Sequence, residues 1–201
     1  MRRRSVVLAS TAVLAGCGSL LQRPYEERRQ WPLVVRRPAT HPLRKNGRVL
    51  LVRSIAAAPG LSARGLQWLE PDGSLHVDFY EEWIVSPNEA VENDLRQWLA
   101  DSGLFAAVIG PGSRLTADLV LEGTLTAFAA NPTMRRARAV LSLALIDQRA
   151  NQTRALMQHT FTAEQPLAAT TTAGMVEALR AALASLLQQV EQAVARFATR
   201  R

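Results

Sequence analysis

A single cysteine, Cys17, rules out an internal disulfide. Lysine occurs once, at Lys45, so nearly every positive charge is a guanidinium; with abundant alanine, this reads as genomic base composition rather than function. The three histidines, His41, His76 and His159, stand far apart and in no zinc-ligand spacing, which leaves a metal site without support. Neither G-x-x-x-x-G-K-[S/T] nor G-x-S-x-G occurs, so the chain carries no P-loop and no nucleophile elbow. No catalytic residue is assigned, and an enzyme is not expected. No apolar run reaches the roughly 20 residues that a membrane-spanning helix needs. The basic residues gather between positions 20 and 47 and at Arg135-Arg136-Ala137-Arg138, without interleaved aromatics or a recognisable binding module, so nucleic acid is not an expected partner.

What is present begins at the first residue. Arg2, Arg3 and Arg4 precede an apolar run from Val6 to Ala15, which ends in Leu14-Ala15-Gly16-Cys17. A positive start, a short apolar stretch and small residues at a cleavage point are the order of a secretory leader. The site resembles the lipobox of bacterial lipoproteins, in which Leu14, Ala15 and Gly16 are read by the signal peptidase. Cys17 then supplies the thiolate that takes up lipid. Residues 1–16 are therefore expected to be a lipoprotein signal peptide. The expected modification is a covalent diacylglycerol and an N-acyl chain on Cys17, with no other cofactor. Each buried methylene contributes about 0.8 kcal/mol and two chains suffice for stable anchoring, so acylation would hold the protein on a membrane. Gly18 and Ser19 follow Cys17. The absence of Asp there favours, by resemblance, an outer-membrane location facing the periplasm. Loss of the three leader arginines lowers the formal charge from +7 to +4.

Between positions 20 and 47 the chain holds Pro24, Pro32, Pro38 and Pro42 among many arginines and shows no apolar period. This predicts a lipidated tether over 17–47, followed by one domain over 48–201. Tether cations beside a lipid anchor would gain about 1 kcal/mol each near an anionic surface, although a merely solvated linker reads equally well.

In the domain, Val49-Leu50-Leu51-Val52 reads as a strand buried on both faces. Pro71-Asp72-Gly73-Ser74 reads as the turn of a hairpin whose arms are 66–70 and 75–85. In the second arm Leu75, Val77, Phe79, Trp83 and Val85 share a face, with Glu81 interrupting it and predicting a bulge or sheet edge. Glu81 and Glu82 point to opposite faces, which excludes them as an acid/base pair. Ser86, Pro87 and Glu89 predict a capping box ahead of a helix with a Val91, Leu95, Trp98, Leu99 stripe, stopped by Gly103. After a short strand over 104–109, strands over 118–128, 138–147 and 154–163 are joined by connections too short for parallel crossovers, which predicts an antiparallel meander. A final helix over 172–198 repeats Val176, Leu179, Leu183, Leu186, Val190, Ala193 and Phe197. That is either a coiled-coil seam or a face laid on a sheet, and Ala182, Leu187 and Val194 widen the stripe in favour of the sheet. The expected fold is a single α/β (α+β) domain with a mixed, mostly antiparallel sheet, packed by a capped middle helix and a long terminal one.

Four features together resemble one family. The lipobox is followed by Trp31-Pro32-Leu33-Val34-Val35-Arg36-Arg37-Pro38. The first strand leads into Ser62-Ala63-Arg64-Gly65-Leu66. Phe79-Tyr80-Glu81-Glu82-Trp83 precedes the Pro87 helix with Asn88, Leu95 and Leu99, then Phe105 and Val108. Phe161 and Pro166 precede the long terminal helix. On these residues the chain is similar to the ABC-type transport auxiliary lipoproteins, which include paraquat-inducible protein C of the MCE-domain lipid transport systems. One departure is Glu82, where the family often has Arg. The resemblance implies a non-catalytic component working beside an MCE-domain protein, with a permease and an ATPase as separate chains. It also implies docking of the periplasmic assembly at the outer membrane. Trp68, Tyr80, Trp83 and Arg64 are the candidate partner contacts, because Trp and Tyr are enriched at binding hot spots. Core packing is the competing reading for Trp83. A homo-oligomer is compatible with these features. The alternatives are a lipoprotein of another envelope assembly, such as a pilotin or a polysaccharide or lipopolysaccharide exporter, and a periplasmic carrier holding an acyl chain between helix and sheet.

Overall fold

The structure, a computed structural model, describes residues 26–148 and 153–199. In chain order the elements are β1 (Arg29–Trp31), β2 (Val49–Ala57), β3 (Gly65–Leu69), β4 (Leu75–Trp83), α1 (Pro87–Asp101), β5 (Ala107–Ile109), β6 (Leu119–Asn131), β7 (Arg136–Asp147), β8 (Arg154–Pro166) and α2 (Thr172–Ala195). They form one mixed eight-stranded sheet with both helices on one face. The expected α/β architecture is what folds.

The meander is the most regular part. β6, β7 and β8 pair antiparallel, so Leu125, Leu141 and Phe161 form one cross-strand row on the helix-facing side. Onto that side α2 lays Val176, Leu179, Leu183, Leu186 and Val190, all fully buried. The terminal helix is thus a sheet-packing helix, as its widened stripe predicted. The opposite face of the meander carries Thr124, Ser142, Gln158 and Thr160 around an open trough that neither helix covers.

The other edge of β6 takes β2 in parallel through its first half and β3 through its last residues. β2 is also parallel to β5. Only Leu50, Val52 and Ile55 of β2 are buried, so the strand expected to be covered on both faces is covered on one. The reason is that the second face of the sheet has no helical layer. A register shift between Val52 and Ile55 frees backbone groups, and α1 satisfies them: Asn88 Nδ2 donates to the Ile55 carbonyl at 3.0 Å and Glu92 Oε2 accepts from its N–H at 3.2 Å.

α1 begins at Pro87, with Ser86 in the N-cap position, but the Ser86 side chain makes no capping bond, so the capping box is not formed. The Ser86 carbonyl still accepts the first helical bond, from Ala90 N–H at 3.0 Å. Gly103 ends this helix region at φ +68°, and a Cβ there would meet the Pro42 carbonyl at 2.8 Å. Glycine is required both for the left-handed turn and for the close passage of the N-terminal segment.

That segment corrects the tether expectation. From Arg29 onward residues expected to be a linker are built into the fold. β1 adds in parallel to β4, pairing Gln30 with Glu82 and Trp31 with Trp83. Leu33 and Val35 are buried, and their strap crosses both helices. Arg180 Nε of α2 donates to the Pro32 carbonyl at 3.1 Å, and the Val35 N–H donates to Asp94 Oδ2 of α1 at 2.8 Å. Arg37 grips Glu191 of α2 through Nε at 3.0 Å and Nη2 at 3.2 Å, and Trp98 Nε1 donates to the same carboxylate at 2.7 Å. Burial pushes the Asp94 carboxyl up to about 6, with the Val35 N–H and Arg36 opposing the shift. Proline and arginine hid this strap from a periodicity reading, whereas the alternation of Leu33 and Val35 around exposed Val34 was the signal for it.

Arg48 closes the core at the far end. It is buried, bonds Asp147 at 2.5 Å and also donates to the Phe197 carbonyl at 3.3 Å. One guanidinium so joins the start of β2, the end of β7 and the end of α2.

Candidate functional site

The β3–β4 hairpin leaves large apolar side chains in water where the meander buries them. β4 carries a wide bulge, because Gly65 pairs with Glu82 while Gln67, only two residues on, pairs with Val77. Asp78 Oδ1 holds the bulge by accepting from the N–H groups of Tyr80 at 2.7 Å and Glu81 at 2.9 Å. Gly65 is needed opposite it, since a Cβ there would lie 2.2 Å from the Asp78 carbonyl oxygen. The bulge expected near Glu81 is therefore present. The apolar face is not where alternation placed it: Trp83 is buried at 1 % exposure, whereas Leu75, Val77 and Phe79 are on the surface, Phe79 at 64 %. The bulge separates the two sets, so a residue parity that holds at Trp83 fails before it.

Trp83 packs in the core against Phe128, with ring centroids 5.8 Å apart, so it is not a surface contact. Arg64 is half-exposed but committed: its Nη2 donates to Glu82 Oε1 at 2.8 Å and its Nη1 to the Ile84 carbonyl at 3.1 Å. Trp68 stacks on His76 with centroids 4.0 Å apart and donates to Glu70 at 2.9 Å. Tyr80 is exposed and sets its ring edge-on to Phe79 at 5.1 Å. The four candidates do not converge on one site. The exposed row instead consists of Leu75, Val77, Phe79, Tyr80 and Ile84, with the Arg28 guanidinium 4.0 Å from the Phe79 ring centroid.

Glu81 and Glu82 do point apart, and both are structural. Glu81 accepts from Trp31 Nε1 at 2.6 Å, while Glu82 accepts from Gln30 at 2.9 Å and from Arg64. The Gln30 amide, with Arg64 beside it, holds the Glu82 carboxyl below the usual carboxylate range against the opposing effect of burial. Glu82, the departure from the family pattern, thus fastens β1 to the hairpin.

Behind the hairpin, on the sheet face away from the helices, lies a cleft of about 440 Å³. Leu61, Leu69, Leu75, Ala127, Ala129 and Met134 contribute its apolar lining, and Arg136, Arg138 and Glu164 its charged groups. Met134 is 68 % exposed. It sits in the β6–β7 turn, where Arg135 adopts φ +49° and is locked by donating to the Leu167 and Ala168 carbonyls at 3.2 and 3.0 Å. Three segments distant in sequence meet here, and no local pattern announced the cleft. Cys17 and the recognition residues Leu14, Ala15 and Gly16 lie outside the described residues. Among the described residues no group of His, Asp or Glu has the arrangement of a metal site, and no helix is long and apolar enough to cross a membrane.

The described residues thus form a two-layer body with an open sheet face and an exposed apolar hairpin. The model of the ABC-type transport auxiliary lipoprotein component family matches residues 33–191, and the chain belongs to that family. Its first matched residue is the buried Leu33 of the strap, and the match therefore takes in a segment expected to be linker. In fold it is similar to protein XCC0632 from Xanthomonas campestris, at 22 % identity and TM-score 0.68, over 81 % of this chain and 92 % of that one. It is also similar to the hypothetical protein CT253 from Chlamydia trachomatis, at 14 % identity and TM-score 0.50, over 74 % and 98 % of the two chains. No curated protein matches the chain.

Proposed function

We propose that this auxiliary lipoprotein is the non-catalytic, lipid-anchored component of an MCE-type lipid transport system, docking the periplasmic assembly at the outer membrane. Acylated Cys17 supplies the anchor, and a separate permease and ATPase supply transport and energy. The row Val77, Phe79, Tyr80 and Ile84 receives the MCE-domain protein. That row is the observation that carries the reading. Apolar side chains left in water along β4 and just after it contribute little to the fold, and exposed apolar residues gathered on one element support an interaction site.

The test is purification of the full-length protein from envelopes with identification of the chains that come with it. An MCE-domain protein is expected, lost from the Phe79→Ser, Val77→Ser double variant. Cys17→Ser is expected to release the protein from outer membranes. Secretion, pilus or polysaccharide-export subunits in place of the MCE-domain protein would overturn the assignment. A carrier holding an acyl chain between helix and sheet is less favoured, because the middle of that layer is filled by Leu141, Leu179, Leu183 and Leu186, all fully buried, and the space left is a groove of about 350 Å³ between β8 and the end of α2.

A further inference from the structure

We infer that the cleft behind the hairpin binds one acyl chain carrying an anionic head group, with Arg136 and Arg138 holding the head. The period of two along β7 puts both guanidiniums on the same outer face, directly at the cleft, while Arg135 is spent on the Leu167 and Ala168 carbonyls. The run Arg135-Arg136-Ala137-Arg138 so divides into one structural arginine and two that face the cleft. Both are more than half exposed and share one counter-charge, Glu164, which stands 3.9 Å from each. Two guanidiniums against one carboxylate leave a net positive mouth. Arginine forks match the oxygens of a carboxylate or phosphate in pairs.

Below this mouth the lining is mainly apolar, with Gln67, Thr126 and Asn131 as its polar members, and the cleft volume lies within the range of small-molecule sites. Leu75 and Met134, both exposed, stand at its edge, where an acyl chain would cover them. Met134 is unbranched and adapts to a flexible occupant. An uncharged apolar ligand would leave the two arginines without a role, and a free anion would leave the apolar lining without one. The amphiphile uses both. This inference needs no MCE partner and stands or falls separately from the docking role.

The experiment titrates the purified full chain, in non-ionic detergent, with three fluorescent probes of equal chain length: a fatty acid, a lysophosphatidic acid and a neutral monoacylglycerol. At least one anionic probe is expected to bind about tenfold or more tighter than the neutral one, as charge-assisted hydrogen bonds to a head group require. Comparison of the two anionic probes decides whether the head is carboxylate or phosphate. Arg136→Gln with Arg138→Gln, both surface changes, is expected to erase the preference, and Ala129→Trp to abolish binding of all three probes. Equal affinity for the neutral probe, an unchanged preference in the double variant, or no saturable binding would each overturn the inference.

Discussion

The meander and the hairpin are built from similar apolar residues and use them in opposite ways. In β6 to β8 one face of the strands turns to the helix layer, and Leu125, Leu141 and Phe161 are sealed from water. In β4 the same alternation leaves Leu75, Val77 and Phe79 in solvent while Trp83, beyond the bulge, is buried. The first region stores the stability of the fold; the second holds apolar surface that the fold does not use. Burial of a large side chain is worth about 1.5–3 kcal/mol, so the comparison separates residues by consequence as well as by position.

The largest effect is expected at the closed end of the core. Arg48→Ala removes a buried guanidinium together with its bonds to Asp147 and to the Phe197 carbonyl, and is expected to lower stability by about 2–3 kcal/mol. Chemical denaturation of wild type and variant measures it, and a loss below about 1 kcal/mol would mean that the Arg48 tie is dispensable. A smaller, pH-dependent effect is expected at the strap. Because the Asp94 carboxyl titrates at about 6 in the fold and near 4 unfolded, the folded state holds the proton more tightly. This group therefore adds stability as pH falls from 7 toward 4 and withdraws it as pH rises through 6. Asp94→Asn keeps an acceptor for the Val35 N–H and is expected to flatten that dependence, matching or exceeding wild type at pH 7 by up to about 1 kcal/mol. Melting temperatures of the two proteins across this range show it, and parallel curves would refute the assignment. The smallest stability effect is expected on the hairpin: Phe79→Ser with Val77→Ser should stay within about 1 kcal/mol of wild type. A larger loss would erase the distinction between the two regions and turn the exposed row into part of the core.

Where one segment dictates its own structure, the sequence was legible. The stripe of α2, the left-handed stop at Gly103 and the antiparallel order of the meander are local, and each appears as expected. Alternation in β4 was read correctly as a strand with a bulge, yet the choice of face depended on where the core lay, which only the assembled sheet decides. The parallel pairing of β2 with β5 and β6 leaves no turn between partners to reveal it. The strap of Leu33 and Val35 was masked by its prolines and arginines, although its apolar residues were in view. As for the site, Tyr80 was found at the surface, Trp83 went to the core, and Phe79 was assigned to the wrong environment. The cleft needed the 59–75, 126–138 and 164 neighbourhoods together, which no single stretch contains.

The entry of β1 beside Phe79, with Arg28 already against that ring, fixes how the body can hang from its anchor. Nine peptide links join Cys17 to Glu26, and however they are arranged they reach no further than about 30 Å. With the lipid on Cys17 as proposed, the hairpin is moored close to the bilayer surface rather than drifting in the periplasm. Anything that engages Phe79 must travel to the membrane to do so, and the length of that mooring becomes a setting of the machine.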